Sequence, residues 1–239
     1  MKFKSWLYAA ALGVGLLAAG PSASAETIEM SFYRVSEKPT GLNDAATPQF
    51  RVSVSDVLGN TSQALFAFFN NGPIASSITD IYFDDGTPGA LFQIARLNEM
   101  PGVDFEVGAK PGNLPGAKHA DPDFEVSSAL LSADSEPKSQ PNGINPGETL
   151  GVLVDLLNGA SFQTIKASLA GRDPLRVGIH VQGFGDGSSA SYVSLPPTIT
   201  PPPPPPTPPA VPLPATVWAG LALMGGIGAK RLRRSGVRA

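Results

Sequence analysis

The sequence predicts an all-β domain, an antiparallel β-sandwich of jelly-roll or immunoglobulin-like type with one short helix, on three observations. Short apolar and β-branched runs alternate with Gly, Pro, Asn and Asp clusters along most of the chain. One segment alone has helical spacing. The crossover helices that a parallel sheet needs between its strands are missing from the pattern.

Taken in order, the predicted strands are residues 27–35, 50–57, 64–70, 78–83, 91–95, 104–107, 124–129, 149–156, 176–182 and 190–195. Phe50, Val52 and Val54 alternate with Arg51, Ser53 and Ser55, the pattern of a strand with one buried face. Leu65 with Phe66 and Phe68 with Phe69 read instead as a more fully buried strand. Turn signals stand between the runs at Asn70-Asn71-Gly72-Pro73, Asp84-Asp85-Gly86 and Asn142-Gly143. Gly183-Phe184-Gly185-Asp186-Gly187 lacks the Gly-Lys-Ser/Thr ending of a phosphate loop and predicts a hairpin turn between the last two strands. Over residues 161–170, Phe162, Ile165 and Leu169 share a helical face, with Ser161 placed to cap the start and Gly171 to end it. The Pro-rich stretch from about Glu106 to Pro146 reads as a long loop.

The two ends of the chain are of another kind. Lys2 and Lys4, an apolar run from Trp6 to Ala19 and the small-residue triplet Ala23-Ser24-Ala25 predict a signal peptide over residues 1–25, cleaved after Ala25. Residues 26–195 are the predicted sandwich domain, long enough to bury one sizeable core. Residues 196–210 form a proline tract that favours a stiff, extended stalk, having few backbone donors. Residues 211–239 begin with Val211-Pro212-Leu213-Pro214-Ala215 and pass through an apolar run to Ala229. They finish on Lys230, Arg231, Arg233 and Arg234, as expected of a short transmembrane helix held by a basic cytoplasmic end.

That order of parts resembles the sorting segment of PEP-CTERM proteins, in its VPLPA-CTERM variant, with Trp218 at the aromatic position. The resemblance covers about a tenth of the chain. It implies that Val211, Pro212, Leu213, Pro214 and Ala215 are the processing signal read by an exosortase-type membrane protease. It also implies passage from an inner-membrane-tethered precursor, held through residues 211–229, to the cell surface or extracellular matrix. More weakly, residues 76–84, 145–148 and 175–182 resemble domains that stand ahead of such tails; this implies export and a β fold and supplies no activity.

The formal net charge of −3 averages unlike segments. All 20 acidic residues lie in the 26–195 domain, which holds ten of the 17 basic ones, so the domain carries −10. Such a surface repels phosphate backbones, and no nucleic-acid partner is expected. With no cysteine, disulfides, thiolate metal sites and Cys nucleophiles are excluded.

Signatures of catalysis are also missing. The two histidines, His119 in the Pro-rich stretch and His180 in a predicted strand, have no metal-ligand spacing, and no G-x-S-x-G occurs. No cofactor is expected. The nearest approach to a metal site is two carboxylate groups, Asp80, Asp84 and Asp85, and Asp121, Asp123 and Glu125, either of which could serve calcium without the regular spacing of a dedicated loop.

The reading is a non-enzymatic surface or biofilm-matrix protein, associated with exopolysaccharide. The alternative is a carbohydrate- or calcium-binding module; Tyr33, Tyr82, Phe184 and Tyr192 exposed on one face would favour it. A polymer-degrading enzyme comes third and would need two carboxylates or a Ser–His pair in a cleft.

Overall fold

Alternating apolar residues in a chain with frequent turns must bury one face of each strand, and pairing two such faces is the simplest way to do so. The structure, a computed structural model, describes residues 25–36, 38, 40–86, 91–137, 140–171 and 175–197. The leader residue Ala23, the stalk beyond residue 197 and the processing signal at 211–215 lie outside the described residues. Among those described, no helix is long and apolar enough to cross a membrane.

In chain order the strands are β1 (Thr27–Met30), β2 (Phe32–Arg34), β3 (Phe50–Val57), β4 (Asn60–Asn70), β5 (Ser77–Asp84), β6 (Phe92–Glu99), β7 (Phe105–Val107), β8 (Ser132–Ser135), β9 (Thr149–Leu156), β10 (Arg176–Gln182) and β11 (Ala190–Ser194). The first sheet has the order β1-β3-β4-β9-β6 and the second β2-β11-β10-β5-β8-β7, with every pairing antiparallel. Their inner faces share one core, in which Phe83 of the second sheet meets Phe66 and Phe92 of the first at ring-centroid distances of 5.0 and 5.2 Å. The result is a β-sandwich.

Several predicted elements differ. The single strand expected over 27–35 is two: Met30 pairs with Val52 in one sheet and Phe32 with Ser194 in the other, so the chain changes sheet at Ser31. Inward alternation survives the crossing, since Ile28, Met30 and Phe32 are all buried. The strand expected at 124–129 is absent; β8 lies further on, with Asp134, Ala133 and Ser132 opposite Asp80, Ile81 and Tyr82. β4 is buried on one face only. Phe66 and Phe68 point inward while Leu65 and Phe69 are half-buried on the outside. β6 runs past its predicted end because Ala95 bulges out between Ile94 and Arg96, which shifts the alternation that a sequence pattern relies on.

Among the described residues there are two α-helices where one was expected. The predicted helix is α2 (Phe162–Leu169), which buries Phe162, Ile165 and Leu169. Ser161 accepts from the Thr164 N–H, and the Thr164 side chain returns a contact to the Ser161 backbone. The second, α1 (Gly41–Ala46), has the same reciprocal cap between Thr40 and Asn43. It is fixed from the core side by the Tyr192 hydroxyl, which donates to the Asn43 carbonyl at 2.7 Å.

Candidate functional site

The two outer faces of the sandwich are treated differently. Over the second sheet, residues 109–124 lie as a strap that buries Ala109, Leu114, Ala117, Ala120 and Phe124 against Val35, Tyr82 and Val193, a second small core. Gly178 makes this possible: a Cβ there would come within 2.9 Å of Phe124 Cζ and 3.1 Å of Leu114 Cδ2. The strap's backbone is met by polar groups of the sheet. Ser132 Oγ accepts from the Ala109 N–H at 3.0 Å, Asp134 from Lys110 N–H at 3.1 Å, and the Tyr82 hydroxyl donates to the Pro111 carbonyl at 3.0 Å.

Both predicted carboxylate groups are drawn into this architecture and do not gather into one site. Asp84 is ion-paired with Arg176 and accepts from the Glu125 N–H. Asp80 accepts from Thr79 at 2.8 Å and lies beside the Tyr82 hydroxyl, while Asp85 accepts from Ser127. Asp123 contributes its main-chain carbonyl to Arg176, and Asp121 and Glu125 are exposed. Among the described residues, no group of three His, Cys, Asp or Glu side chains is arranged to hold a metal ion. Burial holds the Asp85 carboxyl above its ordinary range, opposed by the Ser127 hydrogen bond. Burial first, and then neighbouring Asp80, pushes the Tyr82 phenol upward.

Within the strap, His119 comes to share one cleft with the sequence-distant His180. His119 closes a short 3-10 turn (Ala117–His119), and His180 stands on the outer face of β10; both line a cleft of about 440 Å³ with Ser36, Lys38 and Ser191. Gly116, at φ +77°, lets the turn come down on the Val35–Ser36 backbone. His180 and Ser191 are paired across β10 and β11, and Ser191 Oγ lies 3.0 Å from His180 Nδ1. Asp80 is opposite His180 on the other side. This Ser–His contact has the geometry of a nucleophile and base, but Ser191 is only 1% exposed, which closes its hydroxyl to a polymer chain. Its effect is to fix the imidazole plane. No spacing in the sequence points to this convergence; only the fold of the strap produces it.

A second depression, about 280 Å³, lies on the uncovered face of the first sheet, where Arg51, Phe69, Glu29 and Asn71 surround Ser53. Arg51 and Phe69 are cross-strand partners. Of the four aromatics proposed for an exposed platform, Tyr82, Phe184 and Tyr192 are buried and Tyr33 is half-buried. Phe69, placed in the interior by its apolar neighbours in sequence, is the aromatic that reaches an open face.

Compared with known proteins, the chain matches no family model, no curated protein and no solved structure.

Proposed function

We propose that this is an exported, non-enzymatic surface or matrix protein, processed by an exosortase-type protease at Val211-Pro212-Leu213-Pro214-Ala215 and associated with exopolysaccharide. The observation that carries it is the ordered C-terminal sequence of proline tract, V-P-L-P-A, apolar run and basic cluster. Two features of the domain agree with it. Its buried carboxylates are engaged in holding the strap, and Ser191 is closed off, so neither supplies an accessible reacting group. In this proposal the sandwich is of jelly-roll or immunoglobulin-like kind, supported by its two antiparallel sheets and the strands that pass between them. Intact-mass analysis of protein recovered from cells and medium, with and without the processing enzyme, tests it. A chain ending near residues 211–215 only when the enzyme is present is the expected result; a full-length C-terminus in both strains overturns it.

A second reading, saccharide binding, is favoured by the Phe69–Arg51 depression. An aromatic face beside an arginine and an amide provides stacking and hydrogen-bond donors for a sugar ring. Phe69→Ala is the test: loss of retention on the producing organism's polysaccharide supports this reading, and unchanged retention removes it.

A further inference from the structure

We infer that the cleft between the 115–119 turn and the β10–β11 hairpin is an anion-binding site, which takes a carboxylate, sulfate or phosphate group through His119, His180 and Lys38. The lining of this cleft departs from the charge of the domain. The domain holds twenty acidic residues, yet among the described residues that line this cleft none is acidic and three are basic types. They come from three separate segments, the loop after β2, the strap and β10, so their meeting is a property of the fold and not of local composition.

The cleft is also preorganised. Ser191 fixes the His180 ring through Nδ1, and Ser36 Oγ in turn accepts from the Ser191 N–H at 3.3 Å, so the floor of the cleft is a tied row of hydroxyls. Arg34, whose charge is met by Asp44 at 2.6 Å, also donates to the Ser36 carbonyl and so holds the wall in place. An anion in the cleft therefore meets side-chain N–H donors on a wall already held in place, the arrangement in which charge-assisted hydrogen bonds are strongest.

Asp80, across from His180, is 3% exposed and faces Thr79 and Tyr82; Asp134, opposite Asp80 on β8, accepts from Lys110 N–H. Lys118 adjoins His119, and Asp121 lies two residues beyond it on the exposed side of the strap. Asp80 and Asp134 are thus buried, and Asp121 is exposed. The volume of about 440 Å³ is within the usual range for a small ligand or one sugar unit.

The chain has only two histidines, which makes the test direct. Imidazole proton resonances of the full-length protein in detergent are followed at constant ionic strength during titration with inorganic sulfate, inorganic phosphate, a uronate oligosaccharide and a neutral oligosaccharide of the same length. Saturable shifts of both imidazoles with the anionic ligands are expected. Response to the inorganic ions and the uronate alike identifies a general oxyanion site, and response to the uronate alone identifies an acidic-saccharide site. Lys38→Met and His119→Gln change exposed side chains and leave the core intact; each is expected to weaken binding about tenfold, the weight of one charge-assisted hydrogen bond. No shift with any anion, or equal response to the neutral oligosaccharide, overturns the inference.

Discussion

The guanidinium of Arg176 is held against Asp84, the residue directly opposite it in the neighbouring strand, with Nη2 2.5 Å from Oδ2. Both side chains are buried, and the same guanidinium donates to the carbonyls of Pro122 and Asp123 at 2.6 and 2.5 Å and lies 5.4 Å from the centre of the Phe124 ring. One side chain therefore joins β5, β10 and the strap. Removing one partner leaves the other as a buried, uncompensated charge. Arg176→Met or Asp84→Leu is expected to cost about 3–5 kcal/mol in urea unfolding, and the double replacement less than the sum of the two.

Gly178 and Phe124 lead to a prediction with a local readout. An added methyl at residue 178 overlaps Phe124 and Leu114, so Gly178→Ala is expected to cost about 1–3 kcal/mol. Because the overlap is with the strap alone, limited proteolysis of the variant should cut within residues 108–127 before the sheets open.

At one end of the sandwich Gln49 acts as a buried clasp. Its amide donates to Asn70 Oδ1, Ser76 Oγ and the Ile74 carbonyl at 2.8–2.9 Å, and Asn70 continues to the Ile144 carbonyl at 3.0 Å. Gln49→Leu strands these acceptors and is expected to lower stability by about 2 kcal/mol or more, measured by thermal unfolding. Gly72→Ala should act through the same network, since its Cβ would fall 2.1–2.2 Å from Gln49 atoms.

Asp85 gives the domain a pH signature. Its folded carboxyl titrates above the ordinary aspartate range because of burial, so the folded chain keeps a proton that the unfolded chain has lost. Its contribution to stability consequently falls as pH rises from the ordinary range through the raised value. Asp85→Asn is expected to raise Tm at neutral pH, with the difference closing on acidification; a difference that instead grows at acid pH contradicts the assignment.

Much of the sandwich was legible because its inward residues keep strict alternation, as in Phe50, Val52 and Val54. The misread parts have physical causes. β8 is a polar string, Ser-Ala-Asp-Ser, whose outward Ser132 and Asp134 are satisfied by strap N–H groups that no local pattern reveals. Phe69 was assigned to the interior because a run of aromatics masks the period of two. For α1 a signal existed, the Thr40 and Asn43 spacing of a reciprocal cap, but its short polar helix has little amphipathic pattern. The histidine cleft had no local signal at all, because its residues meet only once the strap has packed on Gly178.

The crossing of the chain from one sheet to the other at Ser31 brings the two ends of the domain together, for the Ser31 carbonyl accepts from the Leu195 N–H at 2.8 Å. Thr27, where β1 begins, lies only about 13 Å of strand from that contact. A domain with neighbouring ends can be circularly permuted. Joining residues 26 and 196 through a short glycine-rich link and reopening the chain at the exposed Leu58–Gly59 turn preserves every strand described, and gives a version of the same sandwich whose ends emerge from the β3–β4 hairpin.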